Sequence, residues 1–305
     1  MALFVRPGLA TPDAILTMTF APYRGCRYDP VMEIAPPIRE NSRQRLAETE
    51  LFVVDEVRAI HELPPSGLNT RRQLAIPTAG TFEYRVGRRT SWLDPTRLLF
   101  AEAGEEFADH HPIPGVGHAS VIIAPAEVLL DELSDLARSA FADRVRSSPL
   151  RLQMLVQLLR RNPDRLAHDE IASELLLLAL GASGRVAAED SRCARRAKAI
   201  LHAASGERLT LGAIAAMLDV SPIYLTQAFK RSEGLPLYRY QTRLRLSKAL
   251  AALPEQEDIT ELALDLGFSS HSHFTATFRA ALGVTPSDYR NGALPRNDAA
   301  ALLAA

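Results

Sequence analysis

One pattern is written twice in this chain. "IAAMLDVSPIYLTQAFKRSEGLPLYRY", beginning at Ile214, aligns with "LALDLGFSSHSHFTATFRAALGVTPSDY", beginning at Leu262. Ile214 and Leu262, Ala215 and Ala263, and Ser221 and Ser269 stand 48 residues apart. Past a one-residue insertion, Leu225 and Phe274, Phe229 and Phe278, Gly234 and Gly283, and Tyr240 and Tyr289 stand 49 apart. Two copies at matched spacing predict the same supersecondary unit folded twice.

Each copy reads as helix, tight turn, helix. A small Ala in the first helix lets a second cross closely, and a Ser stands where an N-cap must satisfy free backbone amides. Leu225/Phe229 and Phe274/Phe278 are i, i+4 pairs that face a core and leave the residues between them outward. That is a helix-turn-helix, whose outward second helix is the one that enters a major groove. The joining helix, 236–251, carries Arg239, Arg243, Arg245 and Lys248 between Leu237, Tyr240, Leu244 and Ala251. At about 1.5 Å per residue it spans roughly 24 Å, a spacer for grooves that recur about every 34 Å. Residues 191–292 hold 13 Lys and Arg against 9 Asp and Glu, while 1–190 hold 21 against 26, so the repeated half is the more basic. That asymmetry favours a polyanion as its partner.

On these residues, 191–291 resemble the DNA-binding domain of the AraC/XylS family of bacterial transcription regulators, with "GFSSHSHFTATFR" and "GVTPSDYR" as its signature. The resemblance implies a regulator, more often an activator, that binds double-stranded promoter DNA through two helix-turn-helix motifs in successive major grooves and contacts RNA polymerase. Carried over by position, Ile223, Thr226 and Gln227 would face bases from the first unit, and His271, Ser272, Thr275 and Ala276 from the second. Family members often carry Gln at position 271 and Arg at 276, so Ala276 implies less direct base reading by the second unit. Ser221, Ser269 and Ser270 at helix N-termini, with Lys230, Arg231, Arg243 and Arg279, would meet the DNA backbone. His271 and His273, at i, i+2, point about 200° apart on a helix and cannot chelate one ion.

Upstream, "ELFVVDEVRAI", "RQLAIPT", "TFEYRV", "RLLFAEAG" and "ASVIIA" are strand-length pieces at close intervals, the pattern of a small barrel or sandwich. After Pro125 the period turns helical, with Val128, Leu129, Leu133, Leu136 and Ala137 on one side of "PAEVLLDELSDLARSAF". These helices either pack on the barrel or form a homodimer seam. In outline this half is similar to the cupin-like sensor and dimerisation domain of many AraC/XylS members, which implies a small-molecule effector. The fold class is therefore α+β: an N-terminal cupin-like β-barrel with flanking helices, and an all-α C-terminal domain of two helix-turn-helix motifs joined by a linker helix. The division is 1–45 irregular, 46–182 sensor, 183–190 linker, 191–291 DNA-binding and 292–305 tail.

Two alternatives stay open: a metal-dependent cupin-type enzyme fused to a DNA-binding module, and a regulator without a ligand. His110, six residues after Gly104, with His111 and His118 resembles part of the metal motif of cupin enzymes, yet the usual His-x-His pair and following Glu are missing, since Pro112 occupies the second His position. Neither a G-x-S-x-G elbow nor a G-x-x-x-x-G-K-[ST] loop occurs, so no enzyme activity, metal or other cofactor is expected. Arg71, Arg72, Arg88 and Arg89 would suit an anionic effector or simply a solvated surface. Cys26 and Cys193 exclude a disulfide framework, and no 18-residue apolar run or leader pattern is present, so a cytoplasmic protein with no membrane partner is expected.

Overall fold

The computed structural model describes residues 41–60, 67–162, 164–182, 191–204, 206–207 and 209–293. Residues 1–40 of the segment read as irregular, the linker 183–190, Cys26 and the tail from 294 lie outside the described residues. All the rest belongs to one compact unit, Met32–Ala305.

Ten strands lead the described chain: β1 Ser42–Glu48, β2 Phe52–Ala59, β3 Gly67–Leu68, β4 Gln73–Gly80, β5 Phe82–Val86, β6 Arg89–Leu93, β7 Arg97–Ala101, β8 Glu106–His110, β9 His118–Pro125 and β10 Val145–Ser147. They form a six-stranded sheet, β1-β2-β9-β4-β7-β10, and a four-stranded sheet, β3-β8-β5-β6. All recorded pairings are antiparallel.

The central strands read as unbroken apolar runs because both faces are covered. Leu74 and Ile76 of β4, Leu98 and Phe100 of β7, and Val121 and Ile123 of β9 point outward into a core shared with helices. Their neighbours Ala75, Leu99 and Ile122 point inward, against Phe82, Tyr84 and Phe107 of the smaller sheet. Period-two alternation thus places one set between the sheets and the other beneath the helical layer.

That layer comprises α1 Glu127–Glu132, α2 Ser134–Asp143, α3 Leu150–Arg161 and α4 Arg165–Leu180. The single helix expected after Pro125 is two, broken at Leu133 (φ −100°, ψ 27°). The break shifts the phase: Leu130, Ala137, Ala140 and Phe141 are buried, whereas Val128 and Leu136 are exposed. Leu152, Leu155, Val156 and Leu159 of α3 and Leu175, Leu176 and Ala179 of α4 fill the core outside the larger sheet, so this apolar surface is used on the barrel. Strand β10, three residues between two helices, is too short to leave a period. Strand β1 begins inside the segment read as irregular; it is an exposed edge whose polar residues carry no apolar alternation, and Arg43 and Arg45 clamp it to Asp55 of β2.

Seven helices follow: α5 Arg192–Ala203, α6 Leu211–Leu218, α7 Pro222–Glu233, α8 Leu237–Ala252, α9 Ile259–Asp265, α10 His271–Leu282 and α11 Pro286–Arg290. Helix α8 serves two cores. Its first half gives Leu237, Tyr240 and Leu244 to a core with α5, α6 and α7. Its second half gives Leu246, Ala249 and Leu250 to a core with α9, α10 and α11, which Met154 of α3 also enters.

Candidate nucleic-acid interface

The two repeats fold alike down to their turns. In the first unit Thr210 caps α6, accepting from the Ala213 amide. Asp219 then takes a left-handed conformation (φ 55°), and the Val220 amide reaches back to the Ala215 carbonyl at 3.0 Å. In the second, Asp258 caps α9, Gly267 is left-handed (φ 82°), and the Phe268 amide reaches the Ala263 carbonyl at 2.9 Å. This six-residue back-bond ends each first helix and reverses the chain.

The second helices also start and stop alike. Ser221 accepts from the Tyr224 amide at 3.1 Å with Pro222 in the first turn. Ser270 accepts from the His273 amide at 3.1 Å. The cap equivalent to Ser221 is therefore Ser270, not Ser269: the one-residue insertion lies in the turn, before the cap. Ser269 is the inserted residue, and its hydroxyl lies 2.9 Å from His273 Nδ1. Left-handed Gly234 and Gly283 close the two helices. Inside, Phe229 meets Tyr240 with centroids 5.4 Å apart, and Phe278 meets Tyr289 at 5.8 Å.

With those aromatic residues inward, the opposite faces are open. Ile223 is 72% exposed, and Thr226, Gln227, Lys230 and Arg231 lie exposed on the same helix. The Thr226 hydroxyl donates to the Pro222 carbonyl at 2.9 Å, which leaves its methyl outward. On α10, His271, Ser272, Ala276 and Arg279 are exposed, and half-buried Thr275 has its hydroxyl 3.3 Å from His271 Nε2. All five line one shallow depression with Thr285. His273 instead turns its ring edge-on to Phe268, centroids 5.5 Å apart.

Arg243 departs from expectation. It is half-buried and donates to the Ser147 hydroxyl on β10 at 3.3 Å, so its guanidinium faces the barrel; burial, with Arg239 nearby, lowers its pKa. The histidines of the barrel depart from a metal site as well. His111 Nε2 lies 2.9 Å from His118 Nδ1, and Phe82 stacks on His118 at 3.8 Å. Among the described residues no group of three His, Cys, Asp or Glu is placed to hold a metal.

A buried polar network that no sequence motif announces lies beside the first unit. The Tyr240 hydroxyl donates to Asp94 Oδ2 at 2.9 Å and lies 3.0 Å from His202 Nε2. Having given its only proton to Asp94, that hydroxyl accepts from His202, which fixes the neutral Nε2–H tautomer. Asp94 Oδ1 accepts from the Thr96 amide and hydroxyl. Glu233, the last residue of α7, accepts from Arg97 of β7 at 2.6 Å and pairs with Lys198 of α5 at 2.8 Å. Lys198 also sits 5.2 Å from the Trp92 ring centroid. Asp94, Lys198 and Tyr240 are fully buried. Burial pushes the Asp94 carboxyl up, but His202, Arg97, Lys198 and Thr96 together hold it below the ordinary range. Burial takes His202 down to about 4 against the pull of Asp94. The one hint in the sequence is Lys198 itself, standing beside Ala194, Ala197 and Leu201 on the apolar side of α5.

A family description reading "Helix-turn-helix domain" matches residues 214–292. The HTH-type transcriptional activator RhaS of Escherichia fergusonii is 33% identical over 129 residues, 41% of this chain and 46% of its own length. The C-terminal region is an AraC/XylS-type helix-turn-helix domain. The uncharacterized HTH-type transcriptional regulator YobQ of Bacillus subtilis is 35% identical to this AraC/XylS-type region over 94 residues, 30% of this chain and 39% of its own. The C-terminal domain of AraT, a response regulator from Geobacillus stearothermophilus, is 31% identical, covering 36% of this chain and 93% of that one, with a TM-score of 0.32. The match spans less than half the length of these curated relatives, RhaS and YobQ.

Proposed function

We propose that this protein is a sequence-specific DNA-binding transcription regulator, not an enzyme, that reads promoter DNA with α7 and α10 in successive major grooves. One observation carries the reading: two helices of identical construction, each with a buried aromatic face, a capped start and an exposed opposite face. Gln227 is suited to adenine, and the methyls of Ile223 and Thr226 to thymine. His271, Ser272, Thr275 and Ala276 present a shorter surface, so the second unit positions more than it reads. The serine-capped N-termini with Lys230, Arg231 and Arg279 supply the phosphate contacts; Arg243 is left out because it faces Ser147.

In the same reading 46–182 senses a small molecule and 191–291 binds DNA. The Asp94–Tyr240 and Arg97–Glu233 contacts join the two halves, so a ligand in the barrel biases the position of α7 through them. Activation through RNA polymerase is the outcome we favour, since RhaS is named an activator. Genome-wide mapping of bound DNA tests the proposal. A set of intergenic peaks sharing one motif, lost in Gln227→Ala, supports it; the same profile from wild type and from protein lacking 191–305 overturns it.

A further inference from the structure

Between the two sheets of the barrel lies a cavity of about 340 Å³, at the small end of ligand sites. Its walls include Phe82, Tyr84, Phe107 and Ile122, and the Tyr84 and Phe107 rings stack with centroids 5.1 Å apart. Two polar atoms on the lining have no hydrogen-bond partner among the described residues: Ser120 Oγ and Asp109 Oδ1. Ser120 is 2% exposed. A buried carboxyl without donors is costly to keep, and protein interiors pair nearly all such groups.

We infer that this cavity binds a small organic amine, its ammonium group on Asp109 and Ser120 and its apolar body against the aromatic wall. The inference rests on the barrel being the sensing half, and the groups around the cavity argue for a cation in particular. Arg43 and Arg58 line it but are engaged by Asp55 and Glu56. The Tyr84 hydroxyl accepts from the Asn69 amide at 2.8 Å and carries no charge, and burial takes neighbouring His118 down to about 3, so it stays neutral. Burial alone raises Asp109 to about 7, poised between its two forms. An ammonium ion pulls it to the carboxylate, gaining a charge-assisted bond beside two ring faces. A carboxylate ligand meets the Asp109 carboxyl there, with both lining arginines already paired to acids. None of Arg71, Arg72, Arg88 and Arg89, the residues that suggested an anionic effector, lines the cavity.

Calorimetric titration of the full chain, without DNA, tests this with phenethylamine, tyramine and hexylamine against 2-phenylethanol and phenylacetate. At least one amine should bind, with phenylethanol tenfold or more weaker and phenylacetate silent. Amine binding at pH 7 should release a fraction of a proton, read from buffers of different ionisation enthalpy, and tighten from pH 6 to pH 8. Asp109→Asn should lose tenfold or more for the amine and little for the alcohol. No amine binding, or equal affinity for amine and alcohol in the wild type, overturns the inference. Because DNA is absent, that failure leaves the DNA reading standing, and a failure to bind DNA leaves this one.

Discussion

Single residues decide how each unit starts and stops. The sequence shows Ser221, Ser269 and Ser270 near the turns, but side-chain capping needs an oxygen within reach of the amide two or three residues on, and only Ser221 and Ser270 meet it. Ser270→Ala should therefore cost about 1 kcal/mol of stability by denaturant titration, as cap losses do, and Ser269→Ala clearly less. Equal costs would return the cap to Ser269. Gly267 shows why the second turn needs glycine: besides its left-handed φ, an added Cβ would lie 2.7 Å from Arg245 Nη2. Asp219 holds the same conformation in the first turn, at the strain a short polar side chain tolerates.

At the scale of elements, the repeat was legible because apolar period and turn chemistry agree within it. Every helix expected after 191 is present, and the aromatic pairs at 49-residue spacing fall in equivalent places. What could not be read was which side of α8 each cation takes. Arg239 and Arg243 stand one turn apart, yet Arg239 is exposed and Arg243 faces β10, because the partner surface belongs to a different part of the chain. Strands β1, β3, β6, β8 and β10 escaped for a related reason: strands that are mostly polar or very short leave no apolar alternation, and register with a neighbour defines them. On DNA, Lys230→Ala should weaken binding on all sequences and reduce the slope of log affinity against log salt by about 1. Arg243→Ala should leave that slope unchanged. Salt titrations by fluorescence anisotropy decide between them, and a reduced slope for Arg243→Ala would mean it leaves Ser147 to meet DNA.

Across the whole molecule, the buried network joins the end of α7 to the barrel. Two acids, Asp94 and Glu233, balance Arg97 and Lys198, so removing one charge leaves another buried without compensation. Glu233→Gln should destabilise by roughly 3–5 kcal/mol, the usual cost of breaking a buried pair from one side. A loss below 1 kcal/mol by denaturant titration would show the pairs to be loose. His202 makes stability depend on pH. Its folded pKa, about 4, lies below the ordinary value near 6.5, so the unfolded chain takes up the proton first as pH falls. Stability should then drop from about pH 6.5 toward pH 4, and His202→Gln should reduce that slope, leaving the part owed to His118, which burial takes lower still, to about 3. Asp94, Lys198, Lys248 and Tyr240 face the ring; only Asp94 favours its charge, and burial outweighs it. Melting temperatures at pH 7, 6 and 5 read the difference directly.

Two like units, α6–α7 and α9–α10, should both sit on DNA. Methylation-interference footprinting on a site found by genome-wide mapping shows whether they do. Two clusters of major-groove contacts about one helical turn apart are expected, Gln227→Ala erasing one and His271→Ala weakening the other. A single cluster, lost with Gln227→Ala and untouched by His271→Ala, would contradict this.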